Sequence, residues 1–219
     1  EKRISFISSE FQVTATSHIN ECRKCAVRMW NGINFLRKSP IALQAFQYAN
    51  LAMFSQQLHS ITGIRKASFD EKNKRIVFSS EYTEPVLNSS KGKRGSWRAF
   101  QIAFILMSLK STVDSEDIDR ENVELIWFPT GGGKTEAYLG LSAFSIFYRR
   151  LINKNDVGTH VIMRYTLRLL TTQQFQRAAR LICAMEEIRN KNSLTLGQEP
   201  FSIGLWVGDS NTPNKRNEA

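Results

Sequence analysis

Seven consecutive residues, Pro129-Thr130-Gly131-Gly132-Gly133-Lys134-Thr135, combine the groups needed to hold a polyphosphate. Three glycines in a row let the backbone turn sharply and offer N–H groups to phosphate oxygens with no Cβ in the way. Lys134 brings a point charge for β- and γ-phosphates, and Thr135 a hydroxyl that coordinates Mg²⁺. An apolar run, Asn122–Phe128, leads into the cluster, and helical periodicity from Lys134 to Arg150 leads out of it. A helix starting there aims the positive end of its dipole at the anion. The general pattern G-x-x-x-x-G-K-[ST] is met except at its first glycine, where Phe128 stands. The expected chemistry is binding of ATP with Mg²⁺ by Thr130, Gly131, Gly132, Gly133, Lys134 and Thr135. Lys134 and Thr135 are the catalytic candidates and Thr135 the metal ligand. The plainer alternative is a glycine-rich turn between strand and helix that holds nothing.

Phe128 at that position narrows the class. Superfamily 2 helicases and translocases carry P-T-G-x-G-K-T after the strand, and this sequence resembles that variant. In that family an R-x-x-Q upstream places a glutamine amide on the adenine edge. Here Arg98-Ala-Phe-Gln101 lies 33 residues before Lys134, so the resemblance assigns the base to Gln101. One amide both donates and accepts, which matches adenine's neighbouring acceptor and donor. Farther on, Tyr165 to Gln173 resembles the family's P-T-x-x-L motif, with Tyr165 in place of the proline. That motif grips one nucleic-acid strand by its phosphates. It implicates Arg164, Thr166 and Arg168 in phosphate contacts and Tyr165 in stacking on a base. The alternative puts Tyr165 and Leu169 in the core and leaves the arginines solvated.

Four longer strings are more specific: WRAFQIAFIL (97–106), WFPTGGGKTEAYLG (127–140), MRYTLRLLTTQQFQR (163–177) and GLWVG (204–208). Together with the helical segment Ser39–Met53, they resemble the helicase-subunit family of the DISARM antiphage defence system. The resemblance implies an ATP-driven DNA motor of the bacterial cytoplasm that works with a partner subunit. Residues and spacing alone support only a nucleotide-dependent motor on an anionic polymer. An RNA-directed superfamily 2 ATPase, or a nucleic-acid or partner-binding module with a structural P-loop, stays open. The family's acidic box, D-E-x-H or D-E-x-D, does not occur, and neither does a second motor domain. The 219 residues therefore resemble an N-terminal fragment, expected to bind ATP without appreciable turnover alone.

The elements that must position these groups are legible in outline. Ser39-Pro40 is a helix start, with Pro in the first turn. Ala42, Leu43, Ala45, Phe46, Ala49, Met53 and Phe54 then recur at helical spacing, and another helix covers about Ser17 to Leu36. Residues 61–85 hold a strand or hairpin around Arg75–Phe78, and 86–96 read as a linker. Trp97–Leu109 is helical with Ser96 as cap, and Leu169–Arg189 is a long helix. Asn122–Phe128, Thr159–Met163 and Phe201–Val207 read as strands. The expected fold class is α/β. It is an incomplete RecA-like P-loop motor domain (96–219), a parallel sheet with flanking helices, preceded by a mainly helical region (1–95).

Composition agrees with a globular, nucleic-acid-binding chain. Hydrophobic residues make up 42% and the net charge is +10, which calls for a polyanionic partner. Lys91, Lys93, Arg94, Arg98 and Lys110 fall in one acid-free window, and Arg164, Arg168, Arg177 and Arg180 in another, on either side of the glycine cluster. No apolar run is long enough to span a bilayer and no leader opens the chain, so a cytoplasmic setting without membrane contact is expected. Three cysteines argue against a disulfide scaffold. Cys22 and Cys25 are two thiols one helical turn apart, or half of a zinc site, or a redox pair.

Overall fold

Small residues at helical spacing decide the central packing. Ala42, Ala45, Ala49 and Ala52 are buried along one side of a helix that starts at Pro40. Side chains this short let two helix axes approach closely. In the computed structural model, residues 3–60, 65–83, 96–129, 131–165 and 168–206 are described, with 168–172 as backbone only. Their order is a 3₁₀ turn (Ile4–Phe6), α1 (Ser9–Lys38), α2 (Pro40–His59), β1 (Ala67–Asp70), β2 (Arg75–Phe78), α3 (Ala99–Val113), α4 (Lys134–Ile152), α5 (Arg168–Lys191) and α6 (Ser193–Leu196).

Helix α4 is the hub. Helices α2 and α3 pack along it, α1 lies on α3, and α5 lies on α2. The core is one cluster centred on Phe144, Phe147, Ile105, Leu109, Met185 and Leu196. Complete burial of a side chain such as Phe144 or Phe147 stabilises by roughly 2–3 kcal/mol. The linker expected at 86–96 lies outside the described residues except for Ser96, and helices from both sides of it share this core.

Local signals account for the helix ends. Ser39 Oγ accepts the N–H of Ala42 at 3.2 Å, with Pro40 opening the first turn. Helix α1 begins at Ser9, earlier than its apolar pattern suggests, because its first turns are solvent-exposed and bury no stripe. Helix α3 begins at Ala99 with Arg98, not Ser96, at the cap position. There the Gln101 side chain accepts the Arg98 N–H at 2.8 Å, filling the role of a capping group.

Among the described residues the parallel sheet expected of a RecA-like domain is absent. Among the described residues the only sheet is the antiparallel hairpin β1–β2, in register Ala67↔Phe78 to Asp70↔Arg75. The segments 122–128, 159–163 and 201–206 carry no strand pairing, and residue 207 lies outside the described residues. Each instead runs singly beside helices. In the first, Glu124 turns inward to Arg28 of α1 and Phe128 stacks on Phe100 of α3 at 4.1 Å, while Val123, Leu125 and Trp127 face solvent. Their alternation gave a strand signal, but a strand also needs a neighbour to complete its hydrogen-bond ladder. Here each segment has helices beside it and no strand neighbour among the described residues. The described residues form a helical assembly with one hairpin.

Candidate functional site

The glycine cluster is the entry to α4. Gly131 and Gly133 both have positive φ, +81° and +88°, and Gly133 is the residue that caps the helix. A Cβ at Gly133 would also come within 2.7 Å of Gln101 Nε2, so backbone angle and space both require glycine. The N–H of Gly132 closes a turn onto the Pro129 carbonyl at 3.1 Å. Thr130 lies outside the described residues.

Four carbonyl oxygens of this loop are engaged by donors. Lys134 Nζ donates to Phe128 O at 2.5 Å and to Pro129 O at 3.2 Å. Arg98 Nη1 donates to Gly132 O at 2.7 Å, and Gln101 Nε2 to Gly133 O at 2.8 Å. Carbonyl dipoles repel an anion, and these bonds occupy their negative ends. The first N–H groups of α4, which have no partner within the helix, remain as an anion-attracting terminus. The donor set therefore fits a phosphate group, and the Thr135 hydroxyl beside it fits a divalent cation.

A cleft of about 970 Å³ opens over the loop. Its walls bring together Gln101, Gly131, Gly132, Gly133, Lys134 and Thr135 from the sequence-derived set, along with Tyr165. Asn50, Phe54 and Gln57 of α2 line it too, residues that sequence reasoning missed. Asn50 Oδ1 accepts the Trp97 indole N–H at 2.6 Å, which fixes α2 against the start of α3. Asn50 is one of several polar residues of α2, so nothing local in the sequence singled it out. Two members of α5, Gln174 and Arg177, complete the wall, and Arg177 forms an ion pair with Glu136.

The residues expected to hold nucleic acid are less concentrated. Tyr165 faces the cleft, and burial, with Tyr138 adding to it, raises its hydroxyl above the ordinary tyrosine value. It stays a neutral donor at physiological pH. Arg164 lines a second cavity of about 1300 Å³. Thr166 lies outside the described residues, and Arg168 is placed only as the first residue of α5. Tyr165 and Gln174 border both cavities.

The larger cavity lies between α4, α5 and the segments 156–165 and 199–206. At its rim His160 Nε2 meets Ser145 Oγ at 2.5 Å, while His160 Nδ1 contacts Arg149, which holds Asp156 through two bonds of 2.6 and 2.7 Å. Burial, then the Arg149 cation, lowers the His160 pKa below the ordinary histidine value, and Asp156 opposes them. A cation on the second ring nitrogen is the reverse of what a general base needs, so this cluster reads as structural. Arg150 is equally committed, donating to the carbonyls of Asp156, Leu196 and Glu199. Cys22 and Cys25 are free, exposed thiols on α1. Among the described residues no group of three or more metal-ligating side chains occurs, and no helix is long and apolar enough to cross a membrane.

The geometry describes a glycine loop at a helix N-terminus, suited to phosphate and opening on a cleft. In sequence the chain resembles the DISARM protein DrmA of Bacillus paralicheniformis, with 40% identity over 205 residues. The match takes in 90% of this chain and 17% of the relative, so the chain spans about a sixth of that protein's length. No model of a protein family matches the chain, and neither does any solved structure.

Proposed function

We propose that this chain is the nucleotide-binding part of an ATP-dependent DNA helicase or translocase acting in an antiphage defence system alongside a partner subunit. The observation that carries the proposal is the glycine loop. It enters α4 at a left-handed Gly133, with Lys134 and Thr135 directly after it and the cleft above. Similarity to a DISARM protein along most of the chain supplies the biological setting. The net charge of +10 agrees with a polyanionic partner in the bacterial cytoplasm.

Bound ATP with Mg²⁺ would supply the phosphoryl group whose transfer drives movement. The chain's residues bind and orient it. Lys134 exchanges the Phe128 and Pro129 carbonyls for phosphate oxygens, and the Thr135 hydroxyl holds the cation. Arg98 and Gln101 keep the Gly132 and Gly133 carbonyls occupied during that exchange. Gln101 retains one N–H and one lone pair beyond its two bonds, the pair that an adenine edge requires. Arg164, Tyr165, Thr166 and Arg168 take a single strand of DNA by phosphate contact and base stacking.

Titration of the full-length protein with a fluorescent ATP analogue tests the site. Binding that requires Mg²⁺ and weakens at least about tenfold in Lys134→Ala supports it, since the lysine supplies a charge-assisted contact to phosphate. Equal affinity in the two proteins would move the reading to a binding module with a structural loop.

A further inference from the structure

The hairpin stands outside the packing that builds the glycine loop. Strands β1 and β2 pack chiefly on each other, and no residue of either joins the core cluster. A two-stranded hairpin is only marginally stable in water by itself. A contiguous apolar face left exposed on one marks a contact with something else.

The register Ala67↔Phe78 and Phe69↔Ile76 puts these four side chains on one face, since directly opposed residues point the same way. Phe69, Ile76 and Phe78 are 58%, 63% and 47% exposed there. Arg65, two residues before Ala67, lies on the same face. Its guanidinium stands 4.3 Å over the Phe78 ring and 5.3 Å over that of Tyr82, and its Nη1 donates to Ser80 O at 3.4 Å. The His59 ring lies parallel to Tyr82 within 2°, and its Nε2 meets the Tyr82 hydroxyl at 2.8 Å. Planar groups thus run in series from the end of α2 onto the hairpin, through His59, Tyr82, Arg65 and Phe78. Phe69 continues the row as the diagonal neighbour of Phe78, a spacing of about 7–8 Å.

The charge around these rings is mainly positive. Lys66 and Arg75 lie on the hairpin's strands and flanks and Lys72 and Lys74 at its tip, against Asp70, Glu71 and Glu81. Asp70 is engaged by the turn, where it accepts the N–H groups of Lys72 and Asn73 and the Asn73 side-chain amide. A protein partner that merely covered the apolar face would desolvate Arg65 without offering it an anion, which is costly. A single strand of nucleic acid fits both features. Its bases stack on rings and on a guanidinium plane, and its phosphates meet the cations beside them. A duplex keeps its base faces stacked inside and cannot use the rings.

We infer that the hairpin face built from Arg65, Phe69, Ile76, Phe78 and Tyr82 binds single-stranded nucleic acid, with Lys72 and Lys74 taking its phosphates. The surface lies on different elements from the glycine loop and needs no nucleotide, so the inference does not rest on the loop.

The test is binding of the full-length protein to a fluorescent oligothymidylate in the absence of nucleotide, with an oligouridylate and a duplex in parallel. The double variant Phe69→Leu with Phe78→Leu keeps the face apolar and removes the rings. It should bind the strand at least about fivefold more weakly. Lys72→Gln with Lys74→Gln should weaken binding and flatten its dependence on salt. These tip substitutions leave the strand pairing untouched, so they decide the matter if loss of the rings unfolds the hairpin. A strand carrying photoreactive 5-iodouracil should crosslink to the peptide 65–82. Comparison of the two oligonucleotides shows which sugar the face accepts, and a ring-dependent loss with either supports the inference. Unchanged affinity in both double variants, or crosslinks confined to other peptides, would overturn it and leave the face to a protein partner. Duplex binding that depends equally on the rings would overturn it too. Binding of a fluorescent ATP analogue, measured separately, should be the same in every hairpin variant. Its absence from the wild-type protein would overturn the proposed function and leave this inference standing.

Discussion

Gln101 and Gly133 are joined by a 2.8 Å hydrogen bond from the glutamine amide to the last carbonyl of the glycine loop. The same glutamine accepts the Arg98 N–H, also at 2.8 Å, so one side chain caps α3 and braces the loop that starts α4. It is buried, at 5% exposure. The residue that the resemblance assigns to the adenine edge therefore also supports the phosphate end of the cleft.

Gln101→Ala should consequently have two effects. Loss of two buried hydrogen bonds costs about 1–3 kcal/mol, readable as a fall in Tm. Preference for ATP over other nucleoside triphosphates should narrow as well, measured by competition for the fluorescent analogue. A stability loss with unchanged preference would place the adenine contact elsewhere.

Gly133→Ala should damage the loop more selectively. The left-handed φ of +88° costs a residue with a Cβ about 1–2 kcal/mol, and the added methyl meets Gln101 Nε2 at 2.7 Å. The free loop escapes this strain by leaving its present shape, and regaining that shape for a nucleotide should lower affinity at least about tenfold, the equivalent of roughly 1.4 kcal/mol. Gly158→Ala is the control. Its φ is +106° but nothing lies within 4 Å of an added Cβ, and it lines only the other cavity. It should therefore lower stability and leave nucleotide affinity alone.

His160 predicts a pH dependence of stability. Burial and Arg149 hold its folded-state pKa below the ordinary value, so the unfolded chain takes up a proton first as pH falls. Stability contributed at this site is present above about pH 6.5 and declines as pH drops through that value. Tm should fall between about pH 7.5 and 5.5, and His160→Gln should lose less over that range. A steeper loss in the variant would contradict the assignment of a neutral, partly buried imidazole.

Much of the helical frame was legible because its signals are local. Ser39-Pro40 marks the start of α2, the Ala42-to-Met53 pattern marks its buried side, and the glycine cluster marks the start of α4. The sheet was misread for a physical reason. Val123, Leu125 and Trp127 alternate like a strand, yet they face solvent, because strand pairing depends on neighbours that no local pattern specifies. At the site, the loop could be found from seven adjacent residues. Asn50, Phe54 and the Glu136–Arg177 pair could not, since they reach the cleft only through the packing of α2 and α5 around α4.

The proposed role of the glycine loop, driving a motor on DNA, has a direct readout. It is tested most directly by ATP hydrolysis of the full-length protein with single-stranded DNA, comparing wild type with Lys134→Ala and running RNA in parallel. Hydrolysis should be stimulated by DNA and abolished by the lysine substitution while the protein remains folded. DNA-stimulated hydrolysis that persists in Lys134→Ala, or none with any polymer in the wild-type protein, would contradict it.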